Sequence, residues 1–168
     1  MSGLATPVAS MAADAMVWMP ALRLRSGHLP ADRFSGSSGP NRVRVLLVED
    51  DALIADMYRR RLELDGYDVS IARDGAAGLE ALRSGRFDIA LVDIRLPAMD
   101  GLQVLEETRR HGVQTPVVMI TNYSAQETRR KSLELGALDY VVKSRVLPDW
   151  LSEQIPSWLR AHGPRRAD

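Results

Sequence analysis

The sequence predicts an α/β protein, a doubly wound five-stranded parallel sheet with helices on both faces. Three observations carry that prediction. The apolar runs VRVLLV, DIALV, PVVMI and DYVV are continuous rather than alternating, the pattern of parallel strands buried on both sides. From residue 42 onward such runs alternate strictly with segments of helical character, and right-handed crossovers leave that alternation little choice but a parallel sheet. The four runs stop on Glu49-Asp50, Asp93, Thr121 and Lys143, and an open sheet of this class gathers the C-terminal ends of its strands along one edge.

Taken in order, strands are expected near 43–48, 67–71, 88–93, 116–121 and 139–142, and helices over 51–65, 74–84, 101–111, 124–135 and about 147–161. The first helix spaces Ile54, Met57 and Leu62 for burial and stops at Gly66; Gly85, Gly112 and Gly136 close the next three in the same way. The start of the fourth helix, Gln126 to Ser132, has almost nothing to bury, which predicts a loosely held element. The fifth places Leu147, Leu151, Ile155, Trp158 and Leu159 on a core-facing stripe. Pro156 lies inside it and predicts a kink near 152–156 or an early end. Trp150 is off the stripe and suits either packing at the sheet edge or an exposed anchor for a partner.

Upstream, residues 1–41 mix Ala, Ser, Gly, Pro and Met with no sustained period, and SGSSGP at 35–40 reads as linker. A disordered or low-complexity extension is expected there, with MVWMPALRL as its one candidate docking segment, interrupted by Pro20. The folded domain is expected over 42–162 and a short tail over 163–168. A chain of 168 residues with 45% hydrophobic content buries one ordinary core and leaves little for a second.

Lys+Arg and Asp+Glu both number 22, so no global field draws in DNA or an anionic membrane, and neither is expected as a partner. Without cysteine there are no disulfides or thiolate metal sites. No stretch approaches the roughly 20 apolar residues of a spanning helix, and a cytoplasmic protein is expected. Only two of the 22 cations are lysines, Lys131 and Lys143, so a lysine at a strand end is informative in a chain that otherwise uses arginine.

Glu49, Asp50 and Asp93 offer the hard oxygens that suit a small divalent cation, Mg2+ being the natural choice. A carboxylate can also attack a phosphoryl group to form an aspartyl phosphate. The cation would offset the repulsion between two anions, while Thr121 and Lys143 would hold the transferred oxygens. Singly, each position is better explained as a solvated loop residue; jointly, in this order on strands one, three, four and five, they are not.

The stretches VLLVEDD at 45–51, ALVDIRLPAMDGL at 90–102, VVMITN at 117–122 and DYVVKS at 139–144 resemble the motifs of the response-regulator receiver domain. The resemblance spans roughly 42–162 and implies the flavodoxin-like (βα)5 arrangement with strand order 2-1-3-4-5. By the same resemblance, Asp93 is the phosphorylated aspartate and Glu49 and Asp50 are the acidic pair that holds Mg2+. Asp50 would bind directly, Glu49 through water, and the Arg95 backbone carbonyl would complete the set. Thr121 matches the switch hydroxyl, Lys143 the lysine that pairs with the phosphoryl group, and Tyr140 the aromatic rotor. Pro97 and Gly101 bracket a loop that must turn sharply beside the metal.

Three departures from the family pattern stand out. Ser144 follows Lys143 where a proline is usual, so a trans peptide and an altered lysine position are expected. Asn122 replaces a small residue after Thr121. Arg95 and Tyr123 are large enough to crowd the water that would hydrolyse the phosphoaspartate, which predicts a long-lived phosphorylated form. The expected function is a stand-alone phosphoacceptor switch without an output domain. Its partners would be a sensor histidine kinase or phosphotransfer protein and a downstream protein, with room for a homodimer through the fourth and fifth helices. The alternative is a degenerate receiver serving as a constitutive binding module, favoured by Ser144 and Asn122. A phosphohydrolase of the haloacid-dehalogenase kind would want an acid two residues after its nucleophile, and that residue is Arg95.

Overall fold

Five parallel strands are hydrogen-bonded in the order β2-β1-β3-β4-β5 in the computed structural model, which describes residues 42–122 and 124–162. The expected extension 1–41, the tail 163–168 and Tyr123 lie outside the described residues. In chain order the elements are β1 (Arg44–Val48), α1 (Ala52–Leu64), β2 (Asp68–Ala72), α2 (Gly75–Arg83), β3 (Ile89–Asp93) and α3 (Gly101–Arg110). They continue with β4 (Val117–Thr121), α4 (Gln126–Glu134), β5 (Asp139–Val142), a 3-10 turn over Lys143–Arg145, and α5 (Pro148–His162). The five strands and five helices agree with the sequence reading to within about two residues at each end; the 3-10 turn was not anticipated.

β3 and β4 are buried along their whole length, as their uninterrupted apolar runs require. The two-residue side-chain repeat of each strand then splits the core in two. On one face Val45, Leu47, Ile89, Leu91, Val118, Ile120 and Val141 meet Ala55, Tyr58 and Leu62 of α1 and Leu151, Ile155 and Trp158 of α5. On the other, Leu46, Val48, Ala90, Val92, Val117, Met119 and Tyr140 meet Leu82 of α2 and Val104 and Leu105 of α3. Local signals frame these helices. Asp51 caps α1, accepting from the Leu53 and Ile54 amides; Asp74 caps α2; Asp100 and Gln103 form a reciprocal capping box on α3. Gly66, Gly85, Gly112 and Gly136 follow the first four helices at positive φ, as expected. Ser132 is the one buried residue of α4, in line with its polar sequence.

Three expectations are corrected. Met57 is 45% exposed and Tyr58, one position on, is buried instead. The stripe that packs on the sheet is Ala55, Tyr58 and Leu62, spaced three and four residues apart, and Met57 lies off it. Leu147 is 72% exposed, because it precedes the first helical residue, Pro148, and never joins the stripe of α5. Finally, of the two outcomes expected at Pro156, a kink or an early end, the early end does not occur, and α5 runs to His162. Proline there removes the amide that would have bonded the Ser152 carbonyl. That carbonyl instead accepts the Tyr67 hydroxyl at 3.2 Å, so the gap in the helix ladder is closed from β2's side. Trp150 packs edge-on against Trp158, with ring centroids 6.2 Å apart, and remains 38% exposed.

Candidate functional site

Strand register brings the chemistry together. Val48 pairs with Val92, Asp93 with Ile120, and Thr121 with Val142, so the residues at or just beyond the C-terminal ends of β1, β3, β4 and β5 share one edge. Glu49 leaves β1 with its amide still bonded to the Ala72 carbonyl at 3.0 Å, which keeps its side chain beside the sheet rather than in solvent. Asp93 is the last residue of β3, Thr121 the last of β4, and Lys143 the first after β5. All four are buried.

The Lys143 ammonium is the hub. Its Nζ donates to Glu49 Oε2 at 2.5 Å and to Asp93 Oδ2 at 2.6 Å. Two carboxylates against one ammonium leave a surplus negative charge in a poorly solvated place, and Asp50 adds to it at the surface. Burial pushes the Glu49 carboxyl above its ordinary value, against the Lys143 hydrogen bond that works to lower it; Asp93 and Asp50 add to the rise. Burial alone would depress Lys143, yet its bonds to Asp93 and Glu49 outweigh that and hold it above the usual lysine value. Tyr140 is buried in the second core cluster, and its phenol is pushed up by that burial and then by Asp93.

Carboxylate oxygens of Glu49, Asp50 and Asp93 can all lie within 4.8 Å of one another. Three hard oxygen donors around a net negative charge fit Mg2+, which takes one or two carboxylates and keeps several waters. Glu49, Asp50 and Asp51 are chemically alike and adjacent, and the helix start separates them. Asp51 bonds the Leu53 and Ile54 amides at 2.8 and 3.1 Å, so it is committed to capping, while Asp50 joins Glu49 and Asp93 in the acidic cluster. The cleft holds about 500 Å3 and is lined by Glu49, Asp50, Asp51, Ile54, Asp93, Arg95, Thr121 and Asn122. Ile54, read from its spacing as a core position, also forms an apolar wall of the opening.

The β3–α3 loop is tightly folded beside the acids. The Arg95 amide donates to Asp93 Oδ1 at 3.2 Å and the Gly101 amide to the Ile94 carbonyl at 2.8 Å. A β-carbon on Gly101 would stand 2.8 Å from the Asp93 carbonyl carbon, so glycine is required there by backbone meeting backbone. Ser144 does not carry Lys143 away. No described peptide bond is cis, the chain turns through a 3-10 helix, and the ammonium still reaches both carboxylates. Asn122 sits exposed at the rim.

Comparison with known proteins agrees with this arrangement. The model of the response regulator receiver domain matches residues 45–153. YkoG, a transcriptional regulatory protein of Bacillus subtilis (strain 168), is 36% identical over 124 residues, which are 74% of this chain and 54% of that protein. The transcriptional regulatory protein DltR of Streptococcus agalactiae serotype III (strain NEM316) is 41% identical over 101 residues, 60% of this chain and 45% of that protein. The chain thus spans about half the length of these relatives. A CheY-like receiver domain protein from Methanospirillum hungatei JF-1 superposes with a TM-score of 0.68 at 35% identity, over 73% of this chain and 97% of that one. The receiver domain of a NarL response regulator from Mycobacterium tuberculosis does so with a TM-score of 0.66 at 30% identity, over 72% and 98%. With the motifs, the sheet order and the clustered acids all in place, the chain belongs to the response-regulator receiver family of two-component signalling.

Proposed function

We propose that this receiver is phosphorylated on Asp93 and that residues 42–162 form the switching unit. The observation that carries the proposal is the buried Glu49–Lys143–Asp93 contact with its surplus carboxylate, a place built to accept positive charge and then a phosphoryl group. One Asp93 carboxylate oxygen attacks phosphorus as the bond from phosphorus to the donor's leaving atom breaks, and the leaving group departs with that electron pair. Lys143 moves from pairing a carboxylate to pairing a phosphoryl oxygen without leaving the site, and Thr121 donates its hydroxyl to another. Glu49, Asp50, Asp93 and the Arg95 carbonyl would hold Mg2+, which when bound would supply Lewis-acid neutralisation of the incoming charge. Tyr140, within electrostatic reach of Asp93, reports occupancy toward α4 and β5. Hydrolysis returns Asp93 to its free state slowly in this reading, because Arg95, which lines the cleft beside Asp93, is large enough to crowd the approach of water.

A sensor histidine kinase or phosphotransfer protein supplies the phosphoryl group in this reading, and a downstream protein reads the result, in the cytoplasm. The relatives named as transcriptional regulators extend well beyond the matched part, which weighs mildly against a pathway without nucleic acid and lends no support to a stand-alone receiver. No helix among the described residues is long and apolar enough to cross a membrane. Incubation with acetyl phosphate and Mg2+, read by intact-protein mass spectrometry, tests the proposal. The native chain is expected to gain one phosphoryl group and Asp93→Asn none. Equal labelling of the variant at the same site overturns the assignment of Asp93, and no labelling of the native chain favours the constitutive binding module.

A further inference from the structure

We infer that Gly75, at the start of α2, is a positioning residue for the metal-binding loop between β3 and α3. This rests on the Mg2+ reading above and extends it to an element outside the cleft. A β-carbon on Gly75 would stand 2.8 Å from the Met99 carbonyl carbon and 2.9 Å from the Met99 β-carbon, and closer still to the carbonyl oxygen. Carbon atoms settle at roughly 3.5–4.0 Å. Either the helix or the loop must therefore withdraw if any side chain is added. The helix has no slack, since Gly78, one turn on, is pressed against Val48, where its own β-carbon would lie 2.8 Å from Val48 Cγ1. The loop is the part that yields.

The loop is also held from the α2 side by a bond and by strain. The Pro97 carbonyl accepts the Met99 amide at 2.7 Å, closing a three-residue turn, and receives the Gly75 amide at a longer 3.5 Å. The central residue of that turn is Ala98 at φ 65, the one described non-glycine residue with positive φ. Such turns are rare and strained, and persist where the surroundings over-determine them. α2 supplies that constraint. Displacement of 97–99 passes along the loop to Arg95, whose amide bonds Asp93 Oδ1 and whose carbonyl belongs to the proposed ligand set. Glycine at 75 thus lets α2 act as a backstop that keeps the loop closed on the acids.

The test compares Gly75→Ala, Gly78→Ala and Ala98→Gly in the full chain, titrated with magnesium chloride and followed by backbone amide shifts, with thermal unfolding alongside. Gly75→Ala is expected to weaken Mg2+ binding about tenfold. Gly78→Ala should lower thermal stability through Val48 while keeping the Mg2+ affinity within twofold. Ala98→Gly relieves the strain and loosens the turn, so its affinity should fall several-fold at near-native thermal stability. Combining Ala98→Gly with Gly75→Ala should recover part of the loss, because the turn can then adjust to the added methyl. Native affinity in Gly75→Ala, or equal weakening in Gly75→Ala and Gly78→Ala, overturns the inference and leaves the Mg2+ reading intact. If Gly75→Ala does not fold, native affinity in Ala98→Gly overturns it in its place. Failure of the native chain to bind Mg2+ overturns both.

Discussion

At the scale of single residues, Lys143 does what neither motif nor composition states: it pairs with two buried acids, offsetting one of their two charges, before any phosphoryl group arrives. Breaking a buried ionic contact by removing one partner typically costs about 3–5 kcal/mol, because a charge is left without its counter-ion. Lys143→Met is therefore expected to lower stability by several kcal/mol in chelator, measured by urea unfolding. Mg2+ should restore more stability to the variant than it adds to the native chain, since the cation replaces the missing positive charge. A cost under about 1 kcal/mol would show that the contact is effectively solvated. The acids themselves divide by local geometry. Asp51 is committed to the amides at the start of α1, and Asp50 is left to join Glu49 and Asp93.

At the scale of elements, α5 shows how a local rule yields to its surroundings. Pro156 should break the helix, and the Ser152 carbonyl it strands is buried, yet Tyr67 reaches it from the turn before β2. A typical hydrogen bond contributes about 0.5–1.5 kcal/mol, so Tyr67→Phe is expected to cost on the order of 1 kcal/mol. In a Pro156→Ala background the same change should cost clearly less, because an amide at 156 can bond Ser152 itself. A double-mutant cycle by chemical denaturation reads the coupling. Strict additivity would mean that the tyrosine hydroxyl does not compensate for the proline. By contrast, α4 buries only Ser132, and its ion pairs Arg130–Glu127 and Arg130–Glu134 are exposed and contribute little. It is the element most easily shifted when the neighbouring β4 and β5 ends rearrange.

At the scale of the whole molecule, one sheet edge concentrates negative charge while the two core layers hold it rigid, so cation and phosphoryl mimic should act as global stabilisers. Mg2+ with beryllofluoride at a hundredfold excess over its Kd adds about 2.7 kcal/mol, on the order of 10 °C in Tm for a domain of this size. Thermal unfolding should show that rise in the native chain, a much smaller one in Asp50→Ala, and none attributable to beryllofluoride in Asp93→Asn. A native-sized shift in Asp93→Asn would place the mimic elsewhere. Much of this was legible beforehand. Continuous apolar runs forced buried parallel strands, glycines marked the ends of the first four helices, and the residues at or just beyond the ends of β1, β3, β4 and β5 announced a shared edge, because the two-residue period follows from covalent geometry and the strand direction from right-handed crossovers. What the chain could not declare was anything set by contact between distant segments. Which face of α1 turns inward and so buries Tyr58 in place of Met57, which partner takes the carbonyl stranded by Pro156, and how closely Gly75 approaches Met99 were decided only by tertiary packing. The physical reason is that a few tenths of an ångström at close-packed contacts select among local options that the sequence leaves nearly equal in energy.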